Sequence, residues 1–237
     1  MKNNILKFAL MLVVFNMILT GVKAQVKTTM YKAYLTNSEA LWKQAFNQAS
    51  SGNNPEQLAH AYYGLLNNAM ASKNEELFDF HIDKAIEYLE KLEEQNTHKA
   101  EAMALRSSLY GFIMGFSPWK GMYYGPKSGS AIEGALKLDK ESGIVWMVKA
   151  FSLLYTPEAF GGNKLQAEKA FEKSISTFEM KGDTISNWLY LNTLAGLGQT
   201  YLANEKKKEA IATYNKALAI EPEFTWVSKV LLLKASK

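Results

Sequence analysis

Apolar residues recur at spacings of three and four along most of the chain, which is the periodicity of amphipathic helices. In the segment 75–94 they fall at Leu77, Phe78, Ile82, Ala85, Ile86 and Leu89. Segments that alternate apolar and polar residues between turn residues, as half-buried strands do, are hard to find. The pattern therefore predicts an all-α protein of about ten helices joined by short connections.

Residues typical of helix caps mark where these helices begin. Thr36 to Glu39 matches a capping box, in which the Thr36 hydroxyl accepts from a backbone N–H, and it predicts a helix to about Ala49. Asn54 precedes a proline, which suits the first position of a helix. The other predicted starts are Asn74, His98, Ser130 (a short helix to Leu138), Ser142, Asn163, Asp183 and positions near 206 and 224.

The first residues have the three-part pattern of a secretory signal. Lys2 and Lys7 form a positive region, an apolar run follows to Thr20, and Val22 and Ala24 are the small residues before a cleavage site. The apolar run is short for a membrane span, although an uncleaved anchor helix is the alternative. We expect a protein exported to the periplasm or beyond, with residues 1–24 removed and one domain over 25–237.

Residues 191–224 contain a pattern that can be checked position by position. Small and apolar residues stand at fixed spacings at Leu194, Leu197, Gly198, Tyr201, Ala210, Tyr214, Ala217 and Pro222. This segment closely resembles a tetratricopeptide repeat, a helix pair of about 34 residues. Gly198 and Ala210 are small where two helices cross, the tyrosines fill gaps between helices, and Pro222 ends the unit.

Weaker copies of the same pattern precede that repeat. Residues 143–179 match through Trp146, Ala150 and Phe171, but the connection between their two helices is about five residues longer than the repeat requires. Degenerate units are predicted at 100–140 and 57–90, and residues 36–50 are interpreted as a lone second helix. The last helix, from about 224 to 235, is interpreted as a terminal cap. The resemblance implies a right-handed α-α superhelix of four or five helix pairs sharing one core.

A second resemblance rests on the residues that precede the helix of Ala167 and Phe171. Phe160, Gly161, Gly162 and Asn163 stand directly before that helix in a chain with an export signal. In this the chain resembles uncharacterised exported tetratricopeptide proteins of Bacteroidota-type bacteria. More distantly, it resembles the T-component proteins of TRAP transport systems, a likeness that implies an accessory role beside a solute-binding subunit.

Composition excludes several classes of function. The net charge is +4 and falls to +1 without the three lysines of residues 1–24, so nucleic-acid binding driven by bulk charge is disfavoured. No cysteine is present, which excludes disulfides and thiolate chemistry. The three histidines fall on separate predicted helices, and no nucleophile-elbow, zinc-protease or dinucleotide motif occurs. We therefore expect no cofactor, no metal site and no enzymatic activity.

The segment 115–126 is the most unusual stretch, and it is predicted to be a long loop within a repeat. Trp119, Tyr123 and Tyr124 are suited to stacking on a ligand ring, and Lys120 to meeting an anion. The alternative is that the loop folds over a neighbouring repeat and its aromatic side chains fill a groove between helices.

The segment 155–163 is a second candidate. Gly161 and Gly162, before a helix N-terminus, could expose backbone amides to an anion near Phe160 and Asn163. The alternative is a tight turn that brings Asn163 to its capping position. Both segments leave the same end of the first helix in consecutive repeats, so we expect them to lie side by side.

Three functions remain open from the sequence. The favoured one is a non-enzymatic binding scaffold, because solenoids of this kind present a curved inner face to a protein or peptide partner. The second is a solute-handling accessory, which requires a closed pocket of at least about 300 Å³ under the two aromatic segments. The third is an enzyme of unrecognised type, for which titratable groups would have to converge near those segments.

Overall fold

The computed structural model describes residues 24–95 and 98–236, so the predicted signal lies outside the described residues except for Ala24. Within them the chain is all-helical and contains no strand, as predicted. The helices are α1 (24–36), α2 (Glu39–Ser51), α3 (Pro55–Ser72), α4 (Glu75–Glu93), α5 (Lys99–Phe116), α6 (Gly121–Leu138), α7 (Gly143–Tyr155), α8 (Lys164–Met180), α9 (Trp188–Ala203), α10 (Lys207–Ile220) and α11 (Leu232–Ser236). None of these helices is long and apolar enough to cross a membrane.

Side-chain caps begin most of the helices, and four predicted caps are confirmed. Asn54, Asn74, Ser142 and Asn163 each accept a hydrogen bond from the backbone N–H three residues on. These bonds satisfy donors that have no partner within the helix.

Two predicted caps are wrong by a few residues. The Thr36 hydroxyl donates to the Lys32 carbonyl and so belongs to the end of α1, whereas Ser38 caps α2 by accepting from Leu41 N. Residues 181–186 form turns after α8, so α9 is capped by Asn187 rather than by Asp183. In both cases two polar residues of similar capping strength lie close together, and the sequence does not say which adopts the extended backbone that a cap needs.

The helices follow one another as five pairs, α1 and α2 through α9 and α10, and the two helices of a pair pack on each other from α3 and α4 onwards. The first helices of successive pairs also pack on one another, α3 on α5, α5 on α7 and α7 on α9. Residues 36–50 are therefore not a lone helix, because α1 precedes α2. The chain ends with the π-helical turn Val227–Leu231 and α11, which cover α10 as the predicted cap.

The segment 115–126 is not a long loop, which corrects the prediction. Only a 3₁₀ turn, Pro118–Lys120, separates α5 from α6. Ser130 lies inside α6 and does not begin a helix. The loop prediction rests on glycine and proline as helix breakers, yet Pro126 sits within α6, where its missing N–H costs one backbone hydrogen bond. Packing of α6 against α5 offsets that cost.

The repeat at 191–224 packs as its spacing predicts. A Cβ atom at Gly198 would lie 2.2 Å from the Tyr214 ring, so only glycine allows α10 to bring that ring onto α9. Ala210 and Tyr214 are fully buried. The small residues therefore permit the helix crossing, and the tyrosine fills it.

The first and last helix pairs meet. Trp188, at the start of α9, contacts the rings of Tyr34 (5.4 Å), Trp42 (5.0 Å) and Tyr63 (5.7 Å). The Tyr34 hydroxyl donates to Asn192 Oδ1 at 3.0 Å. These contacts join α9 to α1, α2 and α3, which a solenoid whose repeats contact only their neighbours would keep apart.

Candidate binding surface

Three large side chains in the 3₁₀ turn before α6 and in the first turn of α6 are turned towards solvent. Trp119 is 79% exposed, Met122 94% and Tyr123 61%. Their spacing of three and four residues places them on one face of a continuous helical segment. We call these three residues the 119–123 surface. Large apolar side chains grouped in this way commonly mark an interaction site, whereas single exposed ones do not.

The 119–123 surface lies in a positively charged part of the chain. The Lys120 Nζ atom lies 5.5 Å from the Trp119 ring centroid. The Lys127 Nζ atom lies 3.9 Å from the Tyr123 ring centroid and donates to its hydroxyl at 2.6 Å, a hydrogen bond that raises the pKa of Lys127. No acidic residue occurs in the sequence between Glu101 and Glu133. The exposed rings are thus accompanied by cations, which favours an anionic or acidic ligand.

Tyr124 differs from its neighbours because it packs against the protein. Its ring lies 5.3 Å from that of Tyr110 on α5 and 4.9 Å from that of Tyr123. This side chain is half-buried. It holds the start of α6 on α5, as the packing alternative expected for the aromatic segment. Trp119 and Tyr123 remain available to a partner.

The 155–163 segment is a tight turn. Gly161 has a φ of +96°, and a Cβ atom at Gly162 would lie 1.7 Å from the Thr156 carbonyl oxygen. The Gly161 and Gly162 amides donate to the carbonyls of Glu158 and Pro157, so neither is available to an anion. Asn163 caps α8 by accepting from Gln166 N at 2.9 Å. The turn explains both glycines without a ligand.

The two segments do not build one pocket. Both follow the C-terminal end of a first helix, α5 or α7, but no hydrogen bond or ring contact joins them in the described part of the chain. Phe160 is 82% exposed. Two open depressions lie away from the 119–123 surface, one of about 360 Å³ beside Gln25 and Ser51 and one of about 250 Å³ beside Trp146 and Lys169. The 119–123 surface is therefore an open face.

A second group of polar residues lies at the opposite end of the helices. Glu56 and His60 on α3 and Glu101 on α5 bring one oxygen or nitrogen atom each to within 4.8 Å of one another. His60 Nε2 is in direct contact with a Glu101 carboxylate oxygen. The His60 residue is 8% exposed, Glu101 is half-buried and Glu56 is exposed. We call these three residues the Glu–His–Glu cluster.

Charges in the cluster support one another. Burial disfavours a charged His60, but Glu101, Glu56 and Asp183 outweigh it and raise the His60 pKa above its ordinary value. Burial likewise disfavours a charged Glu101, but His60, His98 and Lys181 lower the Glu101 pKa overall. Each shift favours the charged form of its group, and the contact between His60 and Glu101 links α3 to α5.

The family comparison agrees with the repeat found in the sequence. A model of the tetratricopeptide repeat matches residues 191–224. The chain therefore contains a tetratricopeptide repeat at 191–224. No match is found among curated proteins.

Two solved structures are similar in fold to this chain. One is TTC0263, a thermophilic tetratricopeptide protein of Thermus thermophilus, with 18% identity, 87% of this chain and 90% of that chain covered, and a TM-score of 0.54. The other is the HusA haemophore of Porphyromonas gingivalis, with 21% identity, 76% and 93% covered, and a TM-score of 0.57. At these identities the likeness shows the fold.

The candidate residues lie outside the matched repeat, so the family assignment does not explain them. Sequence reasoning found Trp119 and Tyr123 because aromatic residues among glycines and prolines are unusual. It missed Met122, and it missed the Glu–His–Glu cluster. The four-residue spacing of Glu56 and His60 was a signal for the cluster, since residues so spaced share one helix face. Glu101 has no such signal, because only the packing of α5 on α3 brings it there.

Proposed function

We propose that this tetratricopeptide-repeat protein is an exported, non-enzymatic binding protein that engages a protein or peptide partner in the cell envelope through its 119–123 surface. The observation that carries the proposal is the grouped exposure of Trp119, Met122 and Tyr123 on one helical face. Aromatic and methionine side chains are enriched in the cores of protein interfaces, where they supply most of the buried area.

The surface favours a particular partner chemistry. Exposed rings and a thioether suit apolar side chains, and Lys120 and Lys127 suit carboxylates at the edge of the contact. We therefore propose a partner segment that combines apolar residues with aspartate or glutamate. Export is supported by the signal pattern of residues 1–24, and the tetratricopeptide fold supports binding rather than catalysis.

Truncating the surface should abolish partner binding and leave the fold intact. We expect Trp119→Ala combined with Met122→Ala to lose a partner that the wild-type protein retains in native mass spectrometry from its host's envelope fraction. Both side chains are exposed, so we expect the free energy of unfolding to change by less than about 0.5 kcal/mol. The matched control is Phe80→Ala, which removes another exposed ring, on α4. Retention of the same partner by the double variant, or its loss from the control as well, would contradict the proposal.

A second candidate is the binding of a porphyrin at the same surface. HusA, which shares the fold, is described as a haemophore. The 119–123 surface combines flat rings with Met122 and Tyr123, side-chain types that ligate haem iron, and with two lysines that suit propionate groups. Titration with haemin, followed by visible absorption, tests this function. Saturation at one equivalent that Trp119→Ala and Met122→Ala together weaken at least tenfold would favour it over a protein partner, whereas equal absorption changes in the Phe80→Ala control and the double variant would exclude it.

A further inference from the structure

We propose that Glu56, His60 and Glu101 bind a divalent transition-metal ion, with Zn²⁺ the best match. Three potential ligand atoms, one from each residue, lie within 4.8 Å of one another. They come from two helices of consecutive repeats, α3 and α5. A metal ion bound by all three residues would therefore connect two consecutive repeats.

The ligand set suits zinc. One imidazole nitrogen and two carboxylate oxygens are donors that zinc uses in sites with an open position, at bond lengths of about 2.0–2.2 Å. Ligand atoms that surround an ion as a tetrahedron at these bond lengths lie about 3.4 Å from one another. Glu56 is exposed and free to swing inward, whereas His60 is nearly buried and held in place. Small rotations of the two glutamates therefore convert the cluster into a coordination site, and the exposed side leaves room for water.

A buried histidine facing two carboxylates is the observation that points to a cation. The His60 side chain is nearly buried, with 11% of it exposed, and its Nε2 atom is directed at Glu101. One carboxylate is enough to pair a buried imidazolium, yet Glu56 approaches the same point from the preceding turn of α3. Asp183 adds a further negative charge nearby, partly offset by its ion pair with Lys27 at 3.4 Å, and His98 and Lys181 are the positive groups that act on Glu101. An excess of oxygen donors around one nitrogen is what a divalent cation requires.

The site is separate from the 119–123 surface. The Glu–His–Glu cluster lies near the N-terminal ends of α3 and α5, whereas the surface follows the C-terminal end of α5. Metal binding and partner binding therefore succeed or fail independently. A variant that loses the metal is expected to keep the partner.

Zinc titration of the metal-free protein tests the site. After dialysis against a chelator, we expect isothermal titration calorimetry with Zn²⁺ to give one equivalent bound, and the visible absorption of added Co²⁺ to show nitrogen–oxygen coordination. Glu56→Gln should weaken Zn²⁺ binding at least tenfold without loss of fold, because the side chain is exposed. The matched control, Glu76→Gln, changes the second residue of α4 just as Glu56→Gln changes the second residue of α3, and it should bind like the wild type.

Several outcomes would overturn the proposal. Absence of one-to-one binding at 100-fold excess of Zn²⁺ over protein would do so. Binding that Glu56→Gln and Glu101→Gln leave unchanged would also do so, because the ion would then sit at another group such as His98. If His60→Gln unfolds the protein, the two glutamate variants still decide the question.

Discussion

Replacing Trp188 with alanine is expected to lower the free energy of unfolding by about 3–5 kcal/mol, the range for removing a fully buried aromatic side chain. Trp188 is 2% exposed and contacts the rings of Tyr34, Trp42 and Tyr63. Three rings lose a partner at once, and a cavity of indole size remains between helices that cannot all move inward. We expect a loss near the upper end of this range, because contacts between aromatic rings stabilise the fold beyond the burial of their apolar area.

The position of Trp188 predicts a second consequence. In most solenoids each repeat contacts only its neighbours, so stability is close to a sum of local terms. Here Trp188 connects α9 with α1, α2 and α3, and the other contacts between the two ends include the hydrogen bonds from Tyr31 to Glu221 and from Thr225 to Leu35. We expect Trp188→Ala to weaken the coupling between the first and last helix pairs. The cooperativity of unfolding and the denaturant concentration at its midpoint should then both decrease.

Denaturant unfolding followed by circular dichroism measures both effects. The midpoint should fall, and the slope m should decrease because the transition no longer involves the whole chain. The control is Trp119→Ala, since that side chain is 79% exposed and its loss should cost less than about 0.5 kcal/mol. Equal losses in the two tryptophan variants would show that the first and last pairs are not joined through Trp188.

Local patterns explain how much of this fold the sequence predicts. The repeat at 191–224 is found because its signature is a set of fixed spacings within two adjacent helices, and the caps at Asn54, Asn74 and Asn163 because a cap depends on residues three positions apart. The prediction fails at α6, where Pro126 and several glycines indicated a loop. There the packing of one helix on another outweighs local propensity, and a single sequence does not show that balance.

Contacts between distant parts of the chain account for what the sequence does not predict. Tyr34 and Trp188 are far apart along the chain, and the sequence around each residue does not indicate that the two side chains are in contact. The same holds for His60 and Glu101, which lie on different helices. Composition makes Trp119 and Tyr123 candidates, but it does not show whether their side chains are exposed. Tyr124, with the same composition argument, packs inward on Tyr110.

Two glycine-to-alanine substitutions, both within helices, should change stability in opposite directions. Alanine in place of glycine in a helix stabilises it by about 0.5–1 kcal/mol when the added methyl group meets nothing. At Gly111 on α5 no atom of a neighbouring described residue lies within 4 Å of the added Cβ atom. We therefore expect Gly111→Ala to raise the free energy of unfolding by about that amount.

At Gly64 on α3 the same methyl group would lie 2.1 Å from the Trp42 ring. That ring is 2% exposed and packs against Trp188, so it cannot move aside without disturbing the contact between the first and last pairs. The clash should exceed the gain in helix propensity and leave Gly64→Ala less stable by about 1–3 kcal/mol, the usual cost of an overfilled core.

Thermal and denaturant unfolding of the two variants, measured side by side, separates the packing effect from the propensity effect, because the propensity gain is common to both. A stabilised Gly64→Ala would mean that Trp42 has room to rotate away, and the close approach of α2 to α3 would then not depend on glycine. A destabilised Gly111→Ala would mean that this face of α5 is covered. We expect a lower free energy of unfolding than the wild type for Gly64→Ala and a higher one for Gly111→Ala. The difference between the two free energies then measures how rigidly the rings around Trp188 hold Trp42 in place.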